Sequence, residues 1–286
     1  MIPRRHRAGN CRQESGSFTR RQALALIAGA GAYPASLPAA VAGPPQEAFR
    51  STAAHLFGDE QAGALQETFA GALIGSVPNR VVAPARDVAP FDRAQAISPL
   101  RYTHEGQRLD LRDYSRRRTV TGLLLARNAE VLFEDYPRGG DATTPFLWAS
   151  MSKSVIAILV GIALDGGAIR SLDDRASSYV PGLARSAYGD ATIRHLLQMS
   201  SGVRFEEKYV GDGTGDLARL IGDTIGQQGA GGAETLSRYS ARRVQPGAMF
   251  YYASADTQAL SLVLSAATGA SVSRFMQERL WQPMGA

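Results

Sequence analysis

Cysteine is almost absent from this 286-residue chain: the one thiol, Cys11, lies near the N-terminus. A single cysteine can close no internal disulfide and has no partner for dithiol exchange. Histidine is nearly as scarce. His6, His55, His104 and His195 are scattered without ligand spacing, so no metal-site pattern exists and His195 reads as structural. Lysine is reduced to Lys153 and Lys208 against an arginine-rich background. The N-terminal apolar stretch, Ala23 to Ala32, is interrupted by Gly29 and Gly31 and is too short to span a bilayer. No internal repeat is evident. Gly211-Asp212-Gly213-Thr214-Gly215 follows no strand and lacks the Gly-Lys-Ser/Thr ending of a phosphate loop, and it reads as a flexible surface loop.

The first 42 residues form a segment of their own. Phe18-Thr19-Arg20-Arg21-Gln22-Ala23-Leu24 sets two adjacent arginines ahead of the weakly apolar stretch, and Ala40-Val41-Ala42 offers a small-x-small cleavage site. Residues 1–42 therefore resemble a twin-arginine signal peptide, and the expectation is a periplasmic or secreted protein. This segment holds six of the 31 basic residues and one of the 26 acidic ones, leaving 25 of each in the remainder. The net charge of +5 thus belongs to the signal. The balanced remainder calls for no nucleic-acid partner and, after signal removal, no membrane. With 44% hydrophobic and 20% charged residues the composition is that of a globular protein. Residues 43–286 suffice for one large domain or two lobes.

Residues 43–118 read as an N-terminal lead-in, helical in composition over Thr52–Leu73 and extended around Pro78, Pro84 and Pro90. From Val120 the pattern sharpens. Val120–Ala126 and Val131–Tyr136 are β-type runs, with Arg127-Asn128-Ala129-Glu130 as the hairpin turn between them. Ser171-Leu172-Asp173-Asp174 is a helix-start signal, and Thr192–Met199 reads as a short helix with Ile193, Leu196 and Leu197 inward. Residues 211–233 are glycine-rich. Pro246-Gly247 makes a turn, after which Phe250, Tyr251 and Tyr252 face inward ahead of a helix from about Asp256 to Thr268, closed by Gly269.

The chemistry concentrates in Ser150-Met151-Ser152-Lys153. Val155–Leu164 continues as a buried helix with Gly166-Gly167 as its left-handed stop. Three residues is just under one turn, so Ser150 and Lys153 share a face. A serine hydroxyl becomes a nucleophile when a base takes its proton, and a desolvated lysine is such a base. Ser152 or Ser154 could instead simply cap the helix. A buried tyrosine beside an ammonium can act as phenolate base or phenol acid, which makes Tyr252 the third candidate. The competing reading of Tyr252 is a core aromatic.

Taken together, four segments resemble the serine hydrolases related to class C β-lactamases and D,D-carboxypeptidases. They are Trp148-Ala149-Ser150-Met151-Ser152-Lys153-Ser154, Thr192 to Gly202 (ending Gln198-Met199-Ser200-Ser201-Gly202), Pro246-Gly247-x-x-Phe250-x-Tyr252, and Leu280-Trp281-Gln282-Pro283-Met284-Gly285. Their order is preserved over residues 119–286. Gly202 to Tyr209 and Tyr252-Ala253-Ser254 are most similar to the 6-aminohexanoate-dimer (nylon-oligomer) hydrolase branch. The resemblance implies an α+β fold, a mainly antiparallel sheet flanked by helices with a helical lobe over about 171–245. It also implies Ser150 as acylated nucleophile, Lys153 as its activating amine, Tyr252 as proton relay to the leaving group, and Tyr209 as a substrate contact. No cofactor and no metal is implied. The partner is a small-molecule amide or ester. Ser254 stands where β-lactamases usually have asparagine and lacks the paired donor and acceptor of a carboxamide, which favours amide or ester over β-lactam. Family members continue past the Trp281 segment into further strands, so the expectation is a C-terminally truncated domain, active or inactive as it stands. The alternatives are a D,D-carboxypeptidase or β-lactamase, and a non-catalytic module that binds cell-wall peptides.

Overall fold

The computed structural model describes residues 80–88, 90–93, 100–118, 120–144, 146, 148–208, 215–226 and 232–286. Residues 1–42, read as a signal peptide, the helix expected over 52–73, Tyr209 and the glycine run 211–214 lie outside the described residues.

The described strands are β1 (Asp92–Arg93), β2 (Arg101–His104), β3 (Gln107–Asp110), β4 (Leu123–Arg127) and β5 (Glu130–Asp135). β4 and β5 form the expected hairpin, with Leu123 opposite Asp135 and Arg127 opposite Glu130. Asn128 and Ala129 both take positive φ (51° and 64°), the pair of left-handed residues that a two-residue hairpin turn requires. β1 joins the far side of β5 in parallel, so this sheet, ordered β1-β5-β4, is mixed rather than wholly antiparallel. β2 and β3 make a second, antiparallel hairpin.

A helix, α1 (Leu111–Arg117), occupies part of the stretch read from its prolines as extended lead-in. Its cause is local: Asp110 accepts from the Asp113 amide at 2.9 Å and Asp113 accepts from the Asp110 amide at 3.0 Å, a reciprocal cap.

The core is helical. The helix α2 (Ser152–Asp165), entered through a 3₁₀ turn at Ala149–Met151, buries Ile156, Leu159, Val160 and Ala163. These positions recur at i, i+3, i+4 and i+7 and form one stripe. Gly167, at φ 75°, ends it as expected. Further along, α3 (Ile193–Leu197) and α4 (Asp216–Ile221) bury Ile193 and Leu196, and Leu217 and Leu220. The long helix α5 (Ser254–Thr268) buries Ala259, Leu260, Val263 and Leu264 and packs on α2 and α3. Gly269, at φ 65°, caps it. Among the described residues no single helix is long and apolar enough to cross a membrane.

α4 and a π-type turn over Gly222–Gly226 occupy part of the stretch read only as glycine-rich, because Leu217 and Leu220 give it an apolar face to bury. Two expectations are corrected. No helix starts at Ser171. The Ser171 hydroxyl accepts from the Asp173 amide at 3.1 Å, and the Asp174 carboxylate accepts from the Tyr179 hydroxyl at 2.7 Å, which turns the chain instead. Leu197, half-buried, packs against the core as expected. The aromatic cluster does not face inward as a whole. Gly247 makes its turn at φ 84°, but Phe250 is 68% exposed while Tyr251 and Tyr252 are half-buried.

Gly202 is where backbone demands are sharpest. It takes φ 71°, and a Cβ there would stand 2.3 Å from the Val244 carbonyl oxygen. Gly202→Ala therefore has both the wrong conformation and a backbone clash, and should cost more than about 2 kcal/mol. Gly161, on the exposed face of α2, meets nothing within 4 Å. Gly161→Ala should be neutral or stabilising by up to about 1 kcal/mol through helix propensity. Urea midpoints of the two variants, read beside wild type, should move in these opposite senses.

Candidate active site

Ser150 lies in the 3₁₀ turn immediately before α2, and Lys153 lies in the first turn of the helix. The turn is built locally. The Met151 amide donates to the Trp148 carbonyl at 2.9 Å, and the Ser152 hydroxyl donates to the Ala149 carbonyl at 2.7 Å. Ser152 thus serves the turn and leaves Ser150 to the site. Ala149 is held at φ 44°, a left-handed conformation that an L-residue adopts at a cost of roughly 1–2 kcal/mol. The ring of Trp148 sits 5.7 Å from that of Trp281, so the C-terminal motif buttresses the segment that carries Ser150.

Lys153 Nζ lies 3.1 Å from Ser150 Oγ, as the three-residue spacing requires. The same nitrogen lies 5.1 Å from the centre of the Tyr252 ring. Residues 102 positions apart in sequence therefore converge on one amine. Ser150 is exposed and can be approached, while Lys153 and Tyr252 are half-buried. Tyr252 is set by its neighbour: the Tyr251 amide donates to the Met199 carbonyl at 2.7 Å, and the Arg243 guanidinium stacks 4.1 Å from the Tyr251 ring centre.

Ser254 opens α5 close by. Its amide donates to Glu207 Oε2 at 2.7 Å and its hydroxyl donates to Glu207 Oε1 at 2.6 Å. The proton of the Ser254 hydroxyl is thus committed to Glu207, and only its lone pairs are left for a substrate. The expected contact residue Tyr209 lies outside the described residues. His195 has the structural role expected of it: its Nδ1 accepts from the Thr192 amide at 3.4 Å, and its Nε2 would sit 3.0 Å from a Cβ at Gly247.

Two carboxylates escaped the sequence reading. Glu207 stands within a segment matched by resemblance, yet its role is visible only once Ser254 is placed against it. Asp256 had a clearer signal, since it falls on the same helical face as Leu260, Val263 and Leu264. It is fully buried and accepts from the Ser201 hydroxyl at 2.8 Å and the Ser201 amide at 3.4 Å. Burial pushes its carboxyl up to about 7. The two Ser201 bonds oppose that rise and the charge of Glu207 adds to it. Tyr188 lies in the same interior, with its hydroxyl lacking a hydrogen-bond partner among the described residues. Burial, and secondarily the Asp256 charge, raise its phenol well above the ordinary range. No cluster of three or more His, Cys, Asp or Glu side chains that could hold a metal ion occurs among the described residues.

This geometry, a serine and lysine one helical turn apart with a tyrosine over the amine, sits in an α+β frame of the β-lactamase/transpeptidase type. The chain belongs to the beta-lactamase family: the model of that family matches residues 108–286. It is 28% identical over 271 residues to the 6-aminohexanoate-dimer hydrolase of Paenarthrobacter ureafaciens, a match covering 90% of this chain and 62% of that relative. A shorter match of 119 residues, 25% identical, relates 40% of this chain to 26% of a protein assigned as a D-alanyl-D-alanine carboxypeptidase in Escherichia coli (strain K12). The solved structure of a protein assigned as a 6-aminohexanoate-dimer hydrolase in Bacillus anthracis superposes with a TM-score of 0.61 at 20% identity. That superposition covers 72% of this chain and 56% of the other, and it shows the shared fold. The chain thus spans less than two thirds of the length of these relatives.

The Asp256 environment has a consequence for stability. The folded chain holds the Asp256 proton up to about pH 7, whereas the unfolded chain releases it near the ordinary value of 3.8. The folded state therefore binds the extra proton between these values, and the Asp256 contribution to stability is lost as pH rises through about 7. Asp256→Asn, which cannot titrate, should show a smaller fall in urea midpoint between pH 5 and pH 8 than wild type does. An equal fall in both proteins would count against the assignment.

Proposed function

We propose that this protein is an exported serine hydrolase that cleaves a small-molecule amide or ester through an acyl-enzyme on Ser150. The observation that carries the reading is the 3.1 Å approach of Lys153 Nζ to Ser150 Oγ, with the Tyr252 ring against the same amine. The Ser150 oxygen attacks the substrate carbonyl carbon while its proton passes to the neutral amine of Lys153. The tetrahedral adduct collapses, and the leaving amine or alcohol takes a proton relayed through Lys153 and the Tyr252 hydroxyl. Water then attacks the ester on Ser150, its proton following the same pair, and the acid is released. Every proton moves between groups of the chain, the substrate and water.

Support for an amide or ester over a β-lactam comes from the third segment. The Ser254 hydroxyl is bound to Glu207, so no carboxamide-like pair of donor and acceptor faces the substrate there. The relationship to the 6-aminohexanoate-dimer hydrolase of Paenarthrobacter ureafaciens, named for a dimer of an amino acid, points the same way. Export rests on Arg20-Arg21 and the Ala40-Val41-Ala42 sequence.

Intact mass after incubation with a fluorophosphonate probe tests the reading. Wild type should gain one adduct and Ser150→Ala none. Lys153→Ala should label at least about 10²-fold more slowly, and Tyr252→Phe should lose about 10²–10⁴ in turnover of a p-nitroanilide or p-nitrophenyl ester. Labelling of Ser150→Ala at the wild-type rate, or a folded wild type that stays unlabelled, would remove the assignment and favour a binding module.

A further inference from the structure

We propose that Asp256 and Ser201 form a positioning latch for Tyr252, closing a ring of bonds that fixes this residue from both sides of the chain. The proposal rests on the catalytic reading of Tyr252 given above, and it adds two residues outside the Ser150–Lys153 pair.

On its entry side, Tyr252 is stitched to the Met199–Gly202 segment. The Tyr251 amide donates to the Met199 carbonyl at 2.7 Å, the Gly247 amide donates to the Ser200 carbonyl at 2.7 Å, and the Arg243 amide donates to the Gly202 carbonyl at 2.8 Å. The Arg242 guanidinium adds a bond to the Ser201 carbonyl at 3.1 Å. Every carbonyl from Met199 to Gly202 is thereby engaged by the segment that leads into Tyr252. On the exit side Tyr252 runs through Ala253 and Ser254 into α5, whose first turn is closed by the Asp256 amide donating to the Ala253 carbonyl at 3.0 Å.

The two sides meet at one place. The Asp256 carboxylate takes the Ser201 hydroxyl and amide protons, across 55 residues of sequence, and the Ser201 oxygen in turn accepts from the Val203 amide at 3.4 Å. The circuit Ser201–Asp256–Tyr252–Tyr251–Met199–Ser201 is closed by hydrogen bonds at two points and by peptide bonds elsewhere. Met199 is held in it at φ 51°, a conformation that persists only where the surroundings over-determine it.

Asp256 is an unusual residue to bury for packing alone. It is on the core stripe of α5 with no cation paired to it among the described residues, and apolar side chains fill the positions one and two turns further on. A leucine there would pack without a desolvation cost, but it would offer Ser201 no acceptor. The groups that face the carboxyl are Ser201 from the Met199–Gly202 segment, Glu207 from the segment beyond it and Tyr188 from the preceding helical turn, with Arg242 one carbonyl removed. Burial and Glu207 together favour the protonated acid, and the Ser201 bonds favour the carboxylate, which binds them more strongly. The latch is therefore tightest when Asp256 is ionised. Because a misplacement of about 1 Å in a reacting group can cost about 10² in rate, slack in this circuit should appear in turnover.

The test uses Asp256→Ala, Asp256→Asn, Ser201→Ala and Tyr252→Phe, each checked by urea midpoint, with two readouts. Amide exchange of Tyr251 and Gly247 reports the circuit without reference to activity. Exchange should quicken at least tenfold in Asp256→Ala and Ser201→Ala, and Asp256→Asn, which keeps an acceptor for the Ser201 hydroxyl, should recover most of the protection. The acylation rate of Ser150 by p-nitrophenyl acetate reports the consequence. It should fall about 10- to 100-fold in Asp256→Ala with KM little changed, recover in Asp256→Asn, and fall no further when Asp256→Ala is added to Tyr252→Phe. Unchanged amide exchange in folded Asp256→Ala or Ser201→Ala would overturn the latch. So would a full, additive loss in the Tyr252→Phe background, which would mean that Asp256 acts elsewhere. If wild type itself fails to acylate, the catalytic reading of Ser150 falls, and the exchange data still decide whether the circuit exists.

Discussion

The contact between Lys153 and Ser150 is set by one helical turn, but the turn holds its place only because α2 is packed against α5. Ile156, Leu159, Val160 and Ala163 on one helix and Ala259, Leu260, Val263 and Leu264 on the other share a single apolar core. Full burial of a side chain such as Leu159 contributes about 1.5–3 kcal/mol, and several such residues in register leave little freedom for either helix to slide or rotate. The site grows from the N-terminal ends of both helices: Ser150 and Lys153 at α2, and Tyr252, Ser254 and Asp256 at α5. A shift between the helices would move the amine away from the phenol without changing either local turn.

The charges near those helix ends are arranged differently from the charges on the surface. Surface pairs such as Arg194 with Asp173 and Arg274 with Glu278 are exposed, and solvent screening leaves them little weight. Glu207 and Asp256 instead accept directed bonds from backbone and hydroxyl groups of Ser254 and Ser201. Such bonds fix geometry as well as lowering energy, and they involve the segments on which the placement of Tyr252 depends. The proposed chemistry lies within this polar frame, at the junction of the two helices.

Much of this was legible in the sequence where the determining forces are local. The three-residue spacing and the apolar run that follows it fixed Ser150 beside Lys153. The Asn128-Ala129 turn, Gly167 and Gly269 appear where the pattern puts them, because a hairpin or helix stop depends on a few adjacent φ values. The misreadings were also local in origin. Prolines in the lead-in outweighed the Asp110 and Asp113 cap of α1, and glycine content hid the Leu217 and Leu220 face of α4. Phe250 was grouped with its aromatic neighbours although it points to solvent, since which side of a loop is inside depends on what packs against it.

What the sequence determined by itself was the Ser150–Lys153 pair, the core stripe of α2 and the order of motifs, all consequences of periodicity and short-range sterics. What only the tertiary structure decided was the company these groups keep. Tyr252 over Lys153, Glu207 on Ser254 and Asp256 on Ser201 join residues 99, 47 and 55 positions apart. No spacing rule reaches that far. Such pairs form because burying the helical core brings their segments together, and a polar group carried into that core must then find its partner wherever the fold has put one.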